Sequence, residues 1–189
     1  MPEYIRPEWI NRVPERFRGV FDEHVKWRRG DGGARANLTR ADLPGAYLAN
    51  ANLAYANLEN SDLTDADLAY ADLAYANLAD ANLAGADLGS IVVPIVPNID
   101  AAILAAISAD GCRLNMNEWH KCETTHCRAG WAVHLAGKPG YELEKSIGPN
   151  AAGALIYAKS RPNKPVPNFY ASDTEAMADI KACAANTQS

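Results

Sequence analysis

Leucine recurs at every fifth position through the middle of the chain. From Ala36 the sequence divides into eleven consecutive five-residue units, each with Leu at its centre, from Leu38 to Leu88. Alanine, or once Ser61, stands two places before each of these leucines. A period of five fits neither the 3.6-residue period of an α-helix nor the two-residue period of a strand. The pattern therefore predicts a solenoid in which each coil buries its apolar face against the next coil.

The units follow the pattern A(D/N)LXX, which resembles the pentapeptide-repeat family. The resemblance covers Ala36–Ser90. It implies a right-handed quadrilateral β-helix in which four units make one coil, with Leu and the preceding Ala pointing inwards. The eleven units would then make about three coils. We expect this β-helix to span residues 36–93.

The sequence before the repeat carries apolar residues at helical spacing. Trp9, Val13, Phe17 and Val25 follow this spacing, and the glycine-rich stretch 30–33 ends it. A solenoid end exposes Leu and unpaired backbone unless other sequence covers it. We therefore expect residues 1–35 to form an N-terminal helical cap.

Residues 94–189 have the composition of a small C-terminal α-helical domain. Four or five short helices are predicted here, and the last begins with a Ser172-x-x-Glu175 capping box. One signature, C-x-T-x-H-C-x-A-G-W-x-x-x-L-A-G, begins at Cys122. It resembles a helical domain of uncharacterised bacterial and bacteriophage proteins, and this resemblance implies no particular activity.

The negative charge of the chain lies in the repeat. The net charge is −5, and residues 36–90 carry one basic and eight acidic side chains. This distribution argues against direct nucleic-acid binding, which needs a basic face. The sequence has neither an apolar run near the roughly 20 residues of a membrane span nor an N-terminal apolar segment typical of secretion. We expect a cytoplasmic protein with reduced thiols and no membrane contact.

Outward-facing residues twenty apart should lie above one another on the solenoid. Tyr55 and Tyr75 would then stack, with Tyr70 round the corner. One interpretation is a solvated acidic surface; the other is a protein-binding face, since exposed tyrosines suit protein contacts. The same tyrosines could pair two copies of the chain. The residues of this predicted face are Tyr55, Tyr70, Tyr75, Asp65, Asp67 and Asp72.

DNA mimicry is an alternative, because some pentapeptide-repeat proteins mimic DNA and bind topoisomerases. Eleven units make just under three coils, and at about 4.8 Å per coil they rise roughly 13 Å. DNA rises about 3.4 Å per base pair, so the rod would match only about four base pairs. A short mimic that binds a topoisomerase or nuclease is therefore the weaker hypothesis.

Two histidines and two cysteines lie within eight residues, His120, Cys122, His126 and Cys127. Structural zinc sites usually use two ligand pairs separated by a dozen or more residues. Adjacent His126 and Cys127 on a helix would diverge by about 100°. If a metal binds at all, its ligands would be His120, Cys122 and Cys127, and we expect no cofactor.

A helix is predicted to begin here with Thr124 or Thr125 as N-cap and to end at Gly137. Cys127 in its first turn could have a lowered pKa and act as a nucleophile with His126, as in a cysteine-dependent enzyme. The same helix start could bind a small phosphorylated ligand or nucleotide. In a purely structural interpretation, the cysteines are small buried hydrophobes. The predicted ligand-binding residues are Thr124, Thr125, His126 and Arg128.

The repeat without a catalytic pattern favours a non-enzymatic binding protein of phage or bacterial origin. We expect it to act on a protein partner, for example as an inhibitor of a host enzyme or defence complex. The sequence does not decide whether the repeat or the helical domain carries this activity.

Overall fold

The computed structural model describes residues 5–118, 120–122 and 124–185, with backbone only for residues 120–122. The chain divides into two compact units, Met1–Ile91 and Val92–Ser189. The predicted cap and the repeat thus belong to the same unit. Among the described residues, each helix is either too short or too polar to span a membrane.

The first unit begins with helices, as the apolar spacing predicts. A 3-10 helix covers Glu8–Arg12 and helix α1 covers Glu15–Arg29. Helix α1 ends at Gly30, whose positive φ of 78° suits a residue without a side chain. Its buried face includes Phe21 and Val25.

Every unit of the repeat forms a tight turn. In the first unit, the N–H of Ala41 donates to the carbonyl of Leu38 at 2.9 Å. The fifth residue, Arg40, has a φ of 58°, as the third position of a type II turn requires. Parallel bridges join residues twenty apart, from Asn37–Asn57 to Asp67–Asp87. The chain therefore returns beside its own backbone every twenty residues, through isolated bridges rather than extended strands.

Asn or Asp precedes all the central leucines except Leu48, which follows Tyr47, and most of these residues have a local role. The side-chain oxygen accepts a hydrogen bond from the N–H two residues later, as Asp62 Oδ1 does from the Thr64 N–H at 3.0 Å. This bond satisfies a turn N–H that would otherwise need water. The same bond is made by Asn37, Asn52, Asn57, Asp67, Asp72, Asn77, Asn82 and Asp87.

The central leucines and the alanines two places before them are buried, as the period of five predicts. Leu63 and Leu68 are 0 % exposed, and so is Ala66. Ser61 replaces an inward Ala without leaving a polar group unpaired, because its Oγ donates to the Leu58 carbonyl at 2.7 Å. The core of the repeat is thus a column of Leu with small residues beside it.

Helix α1 contacts the repeat between Ala36 and Tyr55. The Nδ1 of His24 accepts a hydrogen bond from the Ala36 N–H at 3.0 Å. The Trp27 and Tyr55 rings meet edge to face, with centroids 6.0 Å apart. These contacts are those expected of a helical cap at the N-terminal end of the repeat.

Acid should weaken this cap. Burial and then the charge of Arg28 lower the pKa of His24, although a hydrogen bond with the Ala54 backbone opposes them. The unfolded chain therefore takes up a proton first as the pH falls, and the free energy of unfolding should decline below about pH 6.5. Urea unfolding between pH 7.5 and 5.5 measures this decline. His24→Asn, which keeps an acceptor for Ala36 but does not titrate, should flatten the profile; an unchanged slope would contradict the assignment.

The second unit is mainly helical and contains a small sheet. Its described helices are α2 Ile99–Ile107, α3 Arg128–Leu135, α4 Gly137–Ile147, α5 Pro149–Ser160 and α6 Asp173–Ala185. Its strands are β1 Arg113–Leu114, β2 His120–Cys122 and β3 Thr125–His126, in the order β1-β3-β2. Strand β3 pairs parallel to β1 and antiparallel to β2.

Two local predictions for this unit have different outcomes. The capping box is confirmed, since Ser172 Oγ accepts from the Glu175 N–H at 3.3 Å and Glu175 Oε2 accepts from the Ser172 N–H at 2.9 Å. The predicted helix start at Thr124 or Thr125 is wrong, because Thr125 belongs to β3 and α3 begins at Arg128. Strands of two or three residues are too short to leave a periodic pattern.

Helices α3 and α5 pack at very short range. A Cβ added to Gly153 would lie 2.5 Å from the Cβ of Ala129, so only glycine fits at this crossing. Trp131 from α3 and Tyr157 from α5 are buried in the same unit. This close packing fixes the residues at the start of α3, where the sequence predicted a site.

Candidate functional site

Two tyrosines of the predicted face form a stack. The rings of Tyr55 and Tyr75 lie 5.0 Å apart between centroids and are inclined by 11°, which confirms the predicted stacking. Tyr70 is 69 % exposed and Tyr75 is 56 % exposed. Large aromatic surfaces therefore face water on this side of the repeat.

The backbone at these tyrosines is in the left-handed region. Tyr55, Tyr70 and Tyr75 have φ values of 65°, 59° and 58° at the last position of their units. Asn60 and Gly85 occupy the same position in other units, as its geometry favours. A bulky residue in this conformation costs of order 1 kcal/mol or more. Local folding therefore does not explain why tyrosine stands here.

Helix α1 covers one end of the tyrosine face, which the sequence did not reveal. The guanidinium of Arg28 lies 5.6 Å from the Tyr55 ring centre, and its Nη2 is 3.9 Å from Asp72 Oδ2. The Trp27 ring contacts Tyr55 from the same helix. The exposed part of the face thus centres on Tyr70 and Tyr75.

The cysteine of the opening turn of α3 is buried. Cys127 is the N-cap, and its Sγ accepts a hydrogen bond from the Gly130 N–H at 3.4 Å. Burial raises the pKa of the Cys127 thiol, although the N–H groups of Gly130 and Ala129 partly offset the increase. This direction is opposite to the lowered pKa that the nucleophile hypothesis requires.

Arg128 does not offer its charge to a ligand. It is 1 % exposed, and its Nη2 lies 2.7 Å from Asp100 Oδ1 while its Nη1 lies 2.5 Å from Asp179 Oδ2. Its Nε donates to Tyr157 Oη at 2.9 Å. The helix start therefore presents a neutralised arginine instead of a free cation.

The other residues of the predicted ligand site are also enclosed. Thr125 and His126 are buried, and Thr124 is half-buried. Thr125 Oγ1 accepts a hydrogen bond from Arg113 Nε at 3.2 Å. The His126 ring packs against Trp131 at 4.6 Å and against His134 at 4.8 Å. These contacts hold a sheet against a helix.

The zinc alternative rests partly on atoms outside the described structure. The side chains of His120 and Cys122 are not described. Within the described residues, no three His, Cys, Asp or Glu side chains are grouped as a metal site would require.

Comparison with known families bears on the first unit. Residues 34–68 and 61–90 match the family model for pentapeptide repeats, described as eight copies. Residues 34–90 are pentapeptide repeats. The matched segment leaves both flanks of the chain uncovered. Comparison of the chain with curated proteins and with solved structures gave no match.

Two of the three predicted aspartates have roles within the pentapeptide repeats. Asp67 and Asp72 each accept a turn hydrogen bond, from the N–H groups of Ala69 and Ala74 at 3.0 Å. Asp65 occupies a left-handed position, with a φ of 55°, and it is exposed. Of the predicted carboxylates, Asp65 is thus the one that serves no such turn bond.

A charge network in the second unit escaped the sequence reasoning. Asp100 accepts from Arg128 and also pairs with Arg161, whose Nη1 lies 2.9 Å from Asp100 Oδ2. Burial opposes the charge on Arg128, but Tyr157, Asp100 and Asp179 outweigh it and raise its pKa. Burial also raises the pKa of Tyr157, against the influence of Arg128. These residues come from four separate helices and the segment after α5, so no short motif signals them.

Proposed function

We propose that this chain is a non-enzymatic binding protein that acts by contact with another protein through Tyr70 and Tyr75. The observation that carries the proposal is the placement of exposed tyrosines at strained backbone positions. Strain that local folding does not require is a sign of selection for another role. Tyrosine is also enriched where protein surfaces bury each other.

The charge of the repeat specifies the partner further. The eight acidic and one basic side chains of residues 36–90 favour a partner with a basic patch. Arginine on that partner could stack on a tyrosine ring and pair with Asp65. Such an association should accelerate at low salt and weaken as salt screens the charges.

The frame we propose for this surface is a right-handed quadrilateral β-helix. The parallel bridges between residues twenty apart and the turn in each unit support it. A frame of stacked coils holds outward side chains in fixed register. Binding would then need little reordering of the backbone, which lowers the entropic cost of association.

We further propose that the partner is a cytoplasmic enzyme or defence complex of a bacterial host and that this chain inhibits it. The proposal rests on the predicted phage or bacterial origin and on a repeat sequence without a catalytic motif. DNA mimicry gains no support from the tyrosines, since a mimic displays phosphate-like negative charge over a long rod.

Site-specific photocrosslinking tests the proposed surface. A photoreactive phenylalanine analogue replaces Tyr70 in one full-length protein and Tyr170 in another. Tyr170 is a matched control, because it is 61 % exposed and lies in the second unit. After irradiation in a bacterial host, mass spectrometry should identify one adduct from position 70 that position 170 does not give.

The same adduct must depend on the tyrosine face. A Tyr75→Ala substitution in the crosslinking protein should remove it, and about 0.5 M salt should reduce it. The proposed surface would be ruled out if positions 70 and 170 gave the same crosslinked products. It would also be ruled out if the product from position 70 persisted after the Tyr75→Ala substitution.

Replacing Tyr70 by Asn should stabilise the repeat while it removes the binding surface. Asn tolerates the left-handed conformation, so the free energy of unfolding should rise by about 0.5–1 kcal/mol. Tyr170→Asn is the control, since its backbone is outside the left-handed region. Urea unfolding followed by circular dichroism measures both. A loss of stability in Tyr70→Asn would show that this ring serves packing instead of recognition.

A further inference from the structure

A cavity lies in the second unit, between the start of α2 and the end of α5. Its volume is about 250 Å³, and it is lined by Asn98–Asp100 at the start of α2 and by Ser160–Lys164 at the end of α5 and in the turn that follows. The sequence reasoning assigned no role to any of these residues. The cavity involves no residue of the repeat, so its role is independent of the proposed protein contact.

The walls of this cavity have an excess of positive charge. The buried carboxylate of Asp100 is neutralised by Arg128 at 2.7 Å and by Arg161 at 2.9 Å. Lys164 also lines the cavity and is half-buried. Across the described residues, the Lys164 ammonium has no ion pair or side-chain hydrogen bond. One cation in the wall is therefore left for an anion.

Backbone donors add to this positive wall. The first N–H groups of a helix have no acceptor within the helix. Asn98 precedes α2 with a φ of 49°, and its side chain does not cap the helix. The carboxylate of Asp100, in the first turn, is engaged by arginines instead. The start of α2 thus contributes unsatisfied donors to a cavity that already has Lys164.

The size of the cavity determines the kind of ligand. A water molecule in the liquid occupies about 30 Å³, so the cavity has room for several atoms beyond a single oxyanion. Pro162 lines the cavity and is exposed, so it supplies an apolar contact beside the polar groups. Sites with a few convergent polar groups and an apolar wall are typical of small-molecule binding.

We propose that this cavity binds a small organic molecule through one phosphate or carboxylate group, which pairs with Lys164 and the amides at the start of α2. Arg161 forms the adjoining wall and is held by Asp100 and by the carbonyl of Pro165, which its Nη2 reaches at 3.0 Å. The organic body of the ligand would lie against Pro162.

Titration of the full chain with inorganic phosphate and, separately, with acetate tests the proposal. NMR spectra of the backbone amides are recorded at constant ionic strength, with sodium chloride as the balancing salt. The amide signals of residues 99–101 and of Lys164 should shift and saturate with one or both anions. Saturable binding of phosphate alone would assign a phosphorylated ligand, and binding of acetate alone would assign a ligand with a carboxylate. Binding of both anions would assign a site that accepts either group.

Two lysines on neighbouring turns provide the control. Lys164→Ala should weaken binding by about tenfold to a hundredfold, because a charge-assisted hydrogen bond is lost. Lys159→Ala should leave binding unchanged, since Lys159 is exposed and does not line the cavity. Lys164→Gln repeats the test with a side chain of similar length if the alanine variant is unstable. Shifts that fail to saturate, or equal weakening in the Lys159 and Lys164 variants, would overturn the proposal.

Discussion

Replacing Arg128 by Met should destabilise the second unit by about 3–5 kcal/mol. The change leaves Asp100, which is 3 % exposed, with one arginine instead of two. It also removes the donor to the buried hydroxyl of Tyr157. A folded unit of this size has about 5–15 kcal/mol of stability in total, so such a loss approaches unfolding.

Urea unfolding followed by tryptophan fluorescence measures this loss. Arg128→Lys keeps the charge but not the forked geometry that reaches two carboxylates and a phenol, so it should fall between wild type and Arg128→Met. Lys138→Ala is the exposed control. Its ion pair with Glu142 at 3.7 Å has side chains 86 % and 67 % exposed, and surface pairs contribute about 0–1 kcal/mol.

The outcome also separates structure from ligand binding at α3. If Arg128 bound a phosphorylated molecule, its removal would chiefly abolish that binding and leave the ligand-free protein stable. A large loss of stability without any ligand would identify Arg128 as part of the fold. An Arg128→Met protein as stable as wild type would contradict the network and revive the predicted ligand site.

The repeat could be predicted from sequence because its constraints are local. Leu is buried at every fifth residue, and the Asn or Asp that usually precedes it accepts a hydrogen bond from the N–H two residues later, as Asp62 does from Thr64. The stacking of Tyr55 on Tyr75 follows from the twenty-residue coil alone. The contact of helix α1 with Tyr55 could not be predicted from the repeat, because Arg28 and Trp27 belong to a helix outside it.

The site in the second unit could not be predicted from sequence, because contacts between residues far apart in the chain determine it. Thr125 resembles a helix N-cap in isolation, but pairing with Arg113 draws it into a strand and leaves Cys127 to cap α3. Arg128 resembles a ligand-binding residue in isolation, but Asp100 and Asp179 neutralise it from 28 and 51 residues away. An apolar pattern reveals which faces are buried, whereas it contains no information about which distant charges will pair.

Leu63→Ala should destabilise the first unit by about 2–5 kcal/mol. Leu63 is 0 % exposed and has a buried Leu in the coil on either side, Leu43 and Leu83. Truncation removes buried methyl groups and leaves a cavity that the surrounding side chains fill only in part. In a stacked repeat, the free energy of unfolding is approximately a sum of terms between neighbouring coils. A substitution in a middle coil should therefore weaken two of these terms, and one in a terminal coil only one.

Leu83→Ala provides the comparison within the same repeat. Leu83 is 7 % exposed and has a Leu of the repeat on one side only, so its truncation should cost less than that of Leu63. Urea unfolding followed by far-ultraviolet circular dichroism ranks the two variants. Equal losses, or a larger loss for Leu83→Ala, would contradict the nearest-neighbour account.

The number of steps in the urea unfolding curve of Leu63→Ala bears on the proposed function. Tyr70 lies two residues after Leu68 in the same five-residue unit, and its strained backbone persists only while the neighbouring units of the repeat are formed. If Leu63→Ala still unfolds in a single transition, the coil bearing Tyr70 and Tyr75 cannot open by itself. The tyrosine face would then be presented to a partner as a rigid, pre-formed surface, which is the property that the proposed binding requires.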